Sequence, residues 1–195
     1  MRMFHNSDNA CFHGAGIVAM ADGSTKRVDE VRKGDAVDGG AAVVCAVRTR
    51  CENGVTDLVE IDGRLKVTPW HPVRTSGCTA TDLSANSVAS PYCFPINHPG
   101  GTLITDAPCS AIYSFVLSRG HEMTIDGVGC VTLGHGIKLD PVASHPFWGT
   151  HEVVRAIMQL EGSETGLVEL ETNCVVRDAA GAAVGLKQRT RSPAA

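Results

Sequence analysis

Hydrophobic and polar residues alternate over short stretches through much of the chain, a pattern typical of half-buried β-strands. The stretch GIVAMADGST has Val18 and Met20 on one face, followed by the turn signal Asp22-Gly23, and predicts a strand entering a hairpin. AAVVCAVRTRC is rich in strand formers and ends near an Asn-Gly turn, and DLVEIDGRLKVTPWHPV carries two alternating runs around its Asp-Gly pair. These stretches predict one further strand and a second hairpin.

Helical periodicity is rare in the chain. Val28 and Val31 lie three apart and the pattern stops at Gly34, which predicts one helical turn followed by a new strand. A longer helix is predicted after Thr150 and is closed by Gly162. Its apolar residues share one side: Val153, Val154, Ile157, Met158 and Leu160.

Residues 76–110 have a different composition, with four Pro, many Ser and Thr, and little periodicity, and predict a long loop or an insertion. Regular strands return in AIYSFVLS and in EMTIDGVGCVTL, whose Asp-Gly pair predicts another hairpin. The closing KQRTRSPAA has no apolar residue to bury and is expected to be disordered. The predicted fold class is all-β, with one late α-helix.

Composition narrows the classes of function. With 195 residues, 43% hydrophobic and 19% charged, the chain can form one globular domain with its own core. The formal net charge is −4 at pH 7, which offers no electrostatic attraction for nucleic acid or an anionic membrane. We therefore expect no nucleic-acid partner and no membrane partner.

The location of the protein follows from two weaker signals. No apolar run approaches the ~20 residues of a membrane span, and the opening MRMFHNSDNA lacks the apolar stretch of a secretory signal. A chain with a core of this size does not need disulfide bonds between its eight Cys to be stable. We expect free thiols and a cytoplasmic location.

Cys11 is the first candidate for chemistry. A buried Cys is usually only a compact hydrophobic residue. Cys11, however, follows the small Ala10 just ahead of the first predicted strand. A thiol is nucleophilic even when little of it is ionised, and this one is one covalent step from the preceding carbonyl. Cys11 can therefore attack its own upstream peptide bond.

Thr68 and His71 form a second group, at the end of the hairpin that closes with LKVTPW. Pro at the second position of TPWH enforces an extended or turning backbone and leaves a hydroxyl and an imidazole together at a strand end. An amide-to-thioester shift needs such groups, because the leaving amine must be protonated and the carbonyl polarised. His71 is the natural proton donor, although a TxxH pattern also arises often by chance.

Two further segments carry histidines whose local context alone indicates only hairpins or packing. His121 follows a strand and a Gly in YSFVLSRGHEMTIDG, and His135 lies between two Gly in TLGHG. HPFWGT, just before the predicted helix, holds polar groups that serve either a site or the packing of a tail.

In order, these segments resemble the conserved blocks of the Hint (Hedgehog/intein) superfamily. CFHGAGIVAMADGSTKRVDEVRKGDAV resembles its opening block, VTPWHPV its second and YSFVLSRGHEMTIDG its penultimate block. The distance from Cys11 to His135 is that of a minimal Hint core, and residues 76–110 are too few for an endonuclease. TPWHPV, YSFVLSRGH, TLGHG, HPFWGT and RDAAGAAVGL resemble the Vint subfamily, found with von Willebrand type A domains, over roughly residues 11–187.

The resemblance implies an all-β, horseshoe-like fold of two pseudo-symmetric halves, with the late helix in a C-terminal extension. It also implies a domain division: residues 1–10 are a leader or extein remnant, 11–136 the Hint core, 137–187 a Vint-type extension and 188–195 a disordered tail. The implied parent protein has several domains, with a von Willebrand A domain among them.

The activity implied by the resemblance is single-turnover, cysteine-dependent self-cleavage. Cys11 attacks the carbonyl of Ala10 to give a thioester, Thr68 and His71 hold the bond and protonate the amine, and His121 and His135 match the later block histidines. The substrate is the chain's own upstream polypeptide, and water, a thiol or another nucleophile resolves the thioester. No cofactor and no metal are implied.

Four other functions can be compared with self-cleavage. Splicing needs a terminal His-Asn pair, and only Asn173 before Cys174 imitates one. A Hint fold that has lost its chemistry would act as an interaction module. A zinc protein would draw on eight Cys and eight His, although Cys78, Cys93, Cys109 and Cys130 lie far apart in sequence. A serine hydrolase fails because no GxSxG accompanies the HGAG segment.

Overall fold

The computed structural model describes residues 10–74 and 90–187. One α-helix, α1 (His151–Met158), and three short 3-10 helices, Val28–Glu30, Glu52–Gly54 and Pro95–Asn97, occur in these ranges. The strands are β1 (Phe12–His13), β2 (Ile17–Ala19), β3 (Thr25–Arg27), β4 (Val43–Arg50), β5 (Val55–Ile61), β6 (Leu65–Val67), β7 (Val73–Arg74), β8 (Gly101–Pro108), β9 (Ala111–Leu117), β10 (Glu122–Ile125), β11 (Val128–Val131), β12 (Leu167–Leu170), β13 (Val175–Arg177) and β14 (Ala183–Leu186).

Three sheets organise these strands. The largest has seven strands in the order β12-β4-β9-β1-β6-β5-β8, and the second has five in the order β3-β2-β10-β11-β7. The third is the β13-β14 pair. Pairing is antiparallel except between β12 and β4, which run parallel. The predicted all-β class with a late helix is confirmed.

Two of the predicted hairpins form because their Asp-Gly pairs adopt the left-handed backbone of a type I′ turn. Asp62 and Gly63 have φ values of 50° and 68° between β5 and β6. Asp126 and Gly127 have 51° and 80° between β10 and β11. Thus these two hairpins are confirmed, as is the β2-β3 hairpin, which pairs Val18 with Lys26.

One hydrophobic core joins the two large sheets. Phe12, Val67 and Phe115 of the seven-stranded sheet belong to the same buried cluster as Val18 and Ile125 of the five-stranded sheet. A second cluster covers another part of the seven-stranded sheet with the C-terminal segment. It contains Cys45, Val47, Val168, Leu170, Val153 and Ile157. Residues after α1 are therefore packed into the body of the domain.

The prediction of a loop throughout residues 76–110 is wrong where β8 forms. This strand runs from Gly101 to Pro108 and pairs with β5 at the edge of the seven-stranded sheet. Most of its side chains are exposed, including Leu103 at 47%. An edge strand that buries so little needs no apolar alternation, so the sequence gives no strand signal there.

Two other local predictions need correction. The new strand expected after Gly34 is reduced to isolated bridges, Ala36 with Ala42 and Met20 with Val37. The helix begins at its Thr150 cap as predicted but ends at Met158, which is 39% exposed rather than buried. Three strands follow α1, namely β12, β13 and β14, and they were not predicted.

The thiol prediction holds for Cys11, Cys45, Cys51, Cys109, Cys130 and Cys174, which are free. It is wrong for Cys93, which is disulfide-bonded. The predicted disordered tail, residues 188–195, lies outside the described residues. No α-helix in the described ranges has both the length and the apolar character to cross a membrane.

Candidate active site

Cys11 lies just before β1, the middle strand of the seven-stranded sheet. The next residue, Phe12, is in β1, where it pairs with Val67 of β6 on one side and Tyr113 of β9 on the other. The bond between Ala10 and Cys11 therefore enters the sheet between the end of β6 and the middle of β9. Thr68 and Ser114, the residues next to those partners, border it.

Thr68 holds Cys11 from both sides. Its Oγ1 accepts a hydrogen bond from the Cys11 amide nitrogen at 3.0 Å and donates to the Cys11 carbonyl oxygen at 3.3 Å. Its own amide donates to the same carbonyl at 3.0 Å. Because the Cys11 nitrogen belongs to the upstream peptide bond, Thr68 fixes that bond in one orientation.

Ser114 joins the nucleophile to the carbonyl that it would attack. Its Oγ donates to the Ala10 carbonyl oxygen at 2.7 Å and lies 3.0 Å from the Cys11 Sγ. A hydroxyl has one proton, and here the Ala10 oxygen takes it, so the thiol is the donor in the second contact. A continuous chain of hydrogen bonds runs from the Cys11 thiol through Ser114 to the carbonyl.

Sequence reasoning missed Ser114. It lies 103 residues from Cys11, in a segment that was predicted as a strand and matched to a family block through His121 alone. One signal was present, because Ser114 is a polar residue within the apolar stretch AIYSFVLS. It is also buried, and a buried hydroxyl in a strand needs a partner.

Burial keeps Cys11 protonated. Loss of hydration raises the pKa of its thiol to about 12, and the contact with Ser114, whose hydroxyl can donate to a thiolate, only partly offsets that effect. The nearby Cys174 and Cys109 thiols raise the pKa slightly further. At neutral pH Cys11 is therefore a thiol and not a thiolate.

His71 is buried behind the start of β1. Its ring lies on Phe12, with ring centroids 4.3 Å apart, and its Nε2 is 2.7 Å from the Val131 carbonyl oxygen. A carbonyl only accepts, so Nε2 carries the proton and Nδ1 has a free lone pair in the neutral ring. Nδ1 is buried and has no hydrogen-bond partner among the described residues.

The charge state of His71 is set by burial. Desolvation lowers its pKa to about 4, while the carbonyls of Val131 and Ala10 act in the opposite direction and His135 lowers the pKa further. The effect of the Ala10 carbonyl indicates that a proton on His71 would be stabilised by the peptide bond upstream of Cys11. At neutral pH His71 is a proton acceptor.

His135 and His121 are farther from the reacting bond. His135 is buried; its Nδ1 accepts from the Ile137 amide at 3.0 Å, and desolvation, followed by repulsion from His121 and His145, lowers its pKa to about 4. A Cβ atom at Gly149 would lie 2.9 Å from its Cε1, so the ring needs a glycine there. His121 is exposed, and its Nδ1 contacts the His135 carbonyl oxygen.

Two cavities adjoin the site. A small one of about 20 Å³ is lined by Ala10, Cys11, Val47, Thr49, Ser114, Leu133, Trp148, Leu170, Cys174 and Leu186. A larger one of about 280 Å³ shares Thr49 with it and lies toward the surface. No group of three His, Cys, Asp or Glu side chains in residues 10–74 and 90–187 has an arrangement suited to a metal ion.

The structure brings Cys11, Thr68 and His71 together, adds Ser114 to them, and leaves His121 at the edge of the site.

The sequence model of the Vint family, described as a Hint-domain, matches residues 10–185. A solved intein-like domain from Clostridium thermocellum is 15% identical, with a TM-score of 0.43, over 63% of this chain and 97% of that one. No curated protein matches. Because the family model matches nearly the whole chain, the protein belongs to the Vint family of Hint domains, which are generally self-processing.

Proposed function

We propose that the domain cleaves its own backbone once, by an N-to-S acyl shift at the bond between Ala10 and Cys11. The observation that carries this proposal is the position of Ser114. One hydroxyl contacts both the Cys11 sulfur and the Ala10 carbonyl oxygen, at 3.0 Å and 2.7 Å. A Cys that served only packing would not need a hydrogen-bonded path to the carbonyl of the preceding residue.

The first step forms the bond between the Cys11 sulfur and the Ala10 carbonyl carbon. As it forms, the thiol proton passes to the Ser114 oxygen, and the Ser114 proton passes to the carbonyl oxygen. The intermediate is neutral, so a thiol with a pKa near 12 reacts without first becoming a thiolate in a buried site. Ser114 supplies the stabilisation that an oxyanion hole gives in acyl transfer.

The second step breaks the bond between the Ala10 carbon and the Cys11 nitrogen. His71 enters it neutral, takes the hydroxyl proton of the intermediate at Nδ1, and returns a proton to the departing nitrogen. Its low pKa makes the imidazolium short-lived and therefore a strong acid. Thr68 keeps that nitrogen in place through its hydroxyl at 3.0 Å.

The products are a thioester on Cys11 and a free Cys11 amine. The substrate is the chain's own upstream polypeptide. Of the two later histidines, His135 acts electrostatically on His71, and His121 contacts the His135 carbonyl oxygen. A multidomain parent with a von Willebrand A domain belongs to the same proposal. Mass spectrometry of the purified chain, with and without a thiol, tests it by measuring loss of residues 1–10.

Cys11→Ala is the decisive variant for the proposal. We expect it to abolish cleavage, a loss on the order of 10³-fold or more, because it removes the attacking atom. Cys45→Ala is the matched control, since Cys45 is another buried thiol with no contact to the Ala10 carbonyl. Equal cleavage of wild type and Cys11→Ala would refute the scheme. An intact wild type even with thiol would favour an inert interaction module.

Splicing is a second candidate because Cys174 lines the small cavity together with Ala10 and Cys11. In that scheme Cys174 takes the acyl group from Cys11 and Asn173 cyclises to release the downstream chain. Asn173 is exposed. Chain cleavage after residue 173 that is lost in Asn173→Ala would support splicing, whereas intact C-terminal chains during N-terminal cleavage would refute it.

A further inference from the structure

Three cysteines are packed together outside the two larger hydrophobic clusters. The small buried cluster that they form consists of three free thiols and one apolar side chain: Cys11, Cys51, Cys109 and Ile112. Strand register explains part of this grouping, because Thr49 of β4 and His13 of β1 both pair with Ile112 of β9 and so share its face of the sheet. Cys11 and Cys51 each lie two residues from one of these partners, and alternation directs them to the same face.

Cys51 and Cys109 are in direct contact within this cluster. Their side chains are hydrogen-bonded to each other. Their backbones are also tied together, because the Cys51 amide donates to the Ser110 carbonyl oxygen at 3.0 Å and the Cys109 amide donates to the Gly54 carbonyl oxygen at 2.8 Å. A disulfide needs two cysteines on neighbouring backbones with their side chains directed at each other. These contacts supply both conditions.

The hydrogen bonds to Cys109 favour its thiolate. The hydrogen bond from Cys51 lowers the pKa of Cys109 most, burial acts in the opposite direction, and the hydrogen bond from His13 lowers the pKa further. The His13 Nδ1 accepts from the Ala15 amide at 3.2 Å, so Nε2 carries the proton of the neutral ring. The thiol form of Cys109 donates to the Ala111 carbonyl oxygen at 3.1 Å.

The other two thiols of the cluster remain protonated. Burial raises the pKa of Cys11 to about 12, and the hydrogen bond with Cys109 raises the pKa of Cys51. Since thiolates and not thiols react with electrophiles, Cys109 is the reactive member of the cluster. Cys51 is the neighbour placed to react with it next.

The larger cavity gives small molecules a route to this pair. It has a volume of about 280 Å³, is partly open to solvent, and includes Cys51 and Ile112 in its lining. Cys51 and Cys109 expose only 7% and 5% of their surface, so the reagent must have very few atoms. Hydrogen peroxide, with two non-hydrogen atoms, meets that requirement.

We propose that Cys51 and Cys109 form a peroxide-reactive dithiol, a modification site separate from the proposed cleavage. Its reagent is hydrogen peroxide or another small hydroperoxide, and its product is a disulfide between the two residues. Cys11 stays reduced, because its thiol donates to Ser114 and the hydrogen-bonded neighbour of Cys109 is Cys51.

The reaction balances in two steps. The Cys109 thiolate attacks one peroxide oxygen, the O–O bond breaks, and the hydroxide that leaves takes a proton from solvent. Cys109 is then a sulfenic acid. The Cys51 sulfur attacks the Cys109 sulfur, the S–O bond breaks, and the hydroxyl leaves as water with the Cys51 proton. The two sulfurs are oxidised to a disulfide and the peroxide is reduced to two waters. A small thiol restores the pair by disulfide exchange.

Disulfide mapping of the wild-type chain after equimolar hydrogen peroxide tests the proposal. Remaining thiols are blocked with N-ethylmaleimide in guanidinium chloride, and the chain is digested with trypsin and Asp-N. Cys51 is then in peptide 51–56, Cys109 in peptide 106–119 and Cys11 in a peptide that ends at residue 21. We expect peptide 51–56 joined to peptide 106–119. A link from 106–119 to the Cys11 peptide, or Cys109 recovered unchanged or only as sulfinic acid, would overturn the proposal.

Single variants separate the two steps. Cys51→Ser should stop the reaction at the Cys109 sulfenic acid, which dimedone labels, and Cys109→Ser should leave Cys51 unmodified. Cys45→Ser is the matched control, since Cys45 is a buried thiol of a different cluster, and it should form the link as wild type does. Oxidation of Cys51 at the wild-type rate in Cys109→Ser would contradict the assignment of Cys109 as the reactive thiol.

His13→Ala tests the donor to Cys109. We expect the link to form about 10-fold more slowly, the effect of one hydrogen bond to a charged group. His151→Ala, at an exposed histidine of α1, is the control and should match wild type. Circular dichroism checks that both variants are folded, and an unchanged rate in His13→Ala would refute the role of His13. These measurements do not use self-cleavage, so a chain that fails to cleave still gives a result.

Discussion

The surroundings of Cys11 and the surroundings of His135 differ in where their polar groups are directed. At Cys11, the Thr68 and Ser114 hydroxyls contact the atoms of the upstream peptide bond. At His135, the side chain accepts from the Ile137 amide, and its carbonyl takes the contact from His121. The polar groups of the first region contact the bond that the proposed function cleaves, whereas those of the second region hold their own loop.

The difference teaches that matching a family block does not by itself give a residue its role. His71, His121 and His135 all fall at block positions, but only His71 is fully buried with an unpartnered ring nitrogen and an electrostatic effect from the Ala10 carbonyl. His135 acts on His71 only through its charge, and His121 is exposed. The groups suited to the proposed cleavage are therefore concentrated on the Cys11 side.

The largest change in cleavage rate that would test this contrast is expected for His71→Gln. It removes the proton acceptor and donor, so cleavage should slow by about 10²–10⁴-fold, the usual range for general acid-base catalysis. His121→Gln is the matched control and should change the rate less than threefold. Cleavage time courses by mass spectrometry measure both, and similar losses in the two variants would erase the contrast.

Ser114→Ala is expected to have a somewhat smaller effect. Loss of a donor to a developing oxyanion typically costs about 10²-fold or slightly more. Ser110→Ala, a change in the exposed residue just before β9, is the control. Thermal unfolding should confirm that both variants are folded. A Ser114→Ala rate within twofold of wild type would show that the proton path through this hydroxyl is not used.

The smallest effect is expected for the stability of the fold at low pH. It concerns both regions, because each contains a buried histidine, His71 in one and His135 in the other. The pKa of His71 and that of His135 are about 4 in the folded chain, below the ordinary 6.5, so the unfolded chain binds more protons between these values. The stability from keeping each ring neutral is complete above pH 6.5 and is lost as the pH falls toward 4.

We expect the free energy of unfolding to fall by on the order of 2 kcal/mol for His71 across that window. Denaturant unfolding at pH 7, 5.5 and 4.5 measures the fall, and His71→Gln should flatten the curve relative to His121→Gln. Identical pH dependence in wild type and His71→Gln would mean that the buried ring does not titrate as described.

Much of the site was predictable, because Cys11 and the TPWH segment carry local signals. Thr68 and His71 lie three residues apart at a strand end, and the chemistry that they serve is recognisable from the residue types. Ser114 was not predicted, because it reaches Cys11 through strand pairing across more than 100 residues. Sequence periodicity describes a residue's own element and not the distant element that it faces.

The same reasoning explains which parts of the fold were predictable. Hairpins with Asp-Gly turns were predicted correctly because the turn residues fix the backbone locally. Strand β8 exposes most of its side chains, and β12 pairs with a strand that lies more than 100 residues earlier. Neither has a local signal that separates it from a loop.

The parallel pairing of β12 with β4 has a practical consequence for anyone using the domain as a cleavable tag. Shortening the chain to its minimal core after residue 136 would strip a strand from the sheet that holds Cys11 and remove Trp148, Leu170 and Cys174 from the wall beside the reacting bond. Bulk solvent and added thiols would then have freer access to the proposed thioester on Cys11. For the proposed cleavage, the smallest complete unit extends to about residue 187.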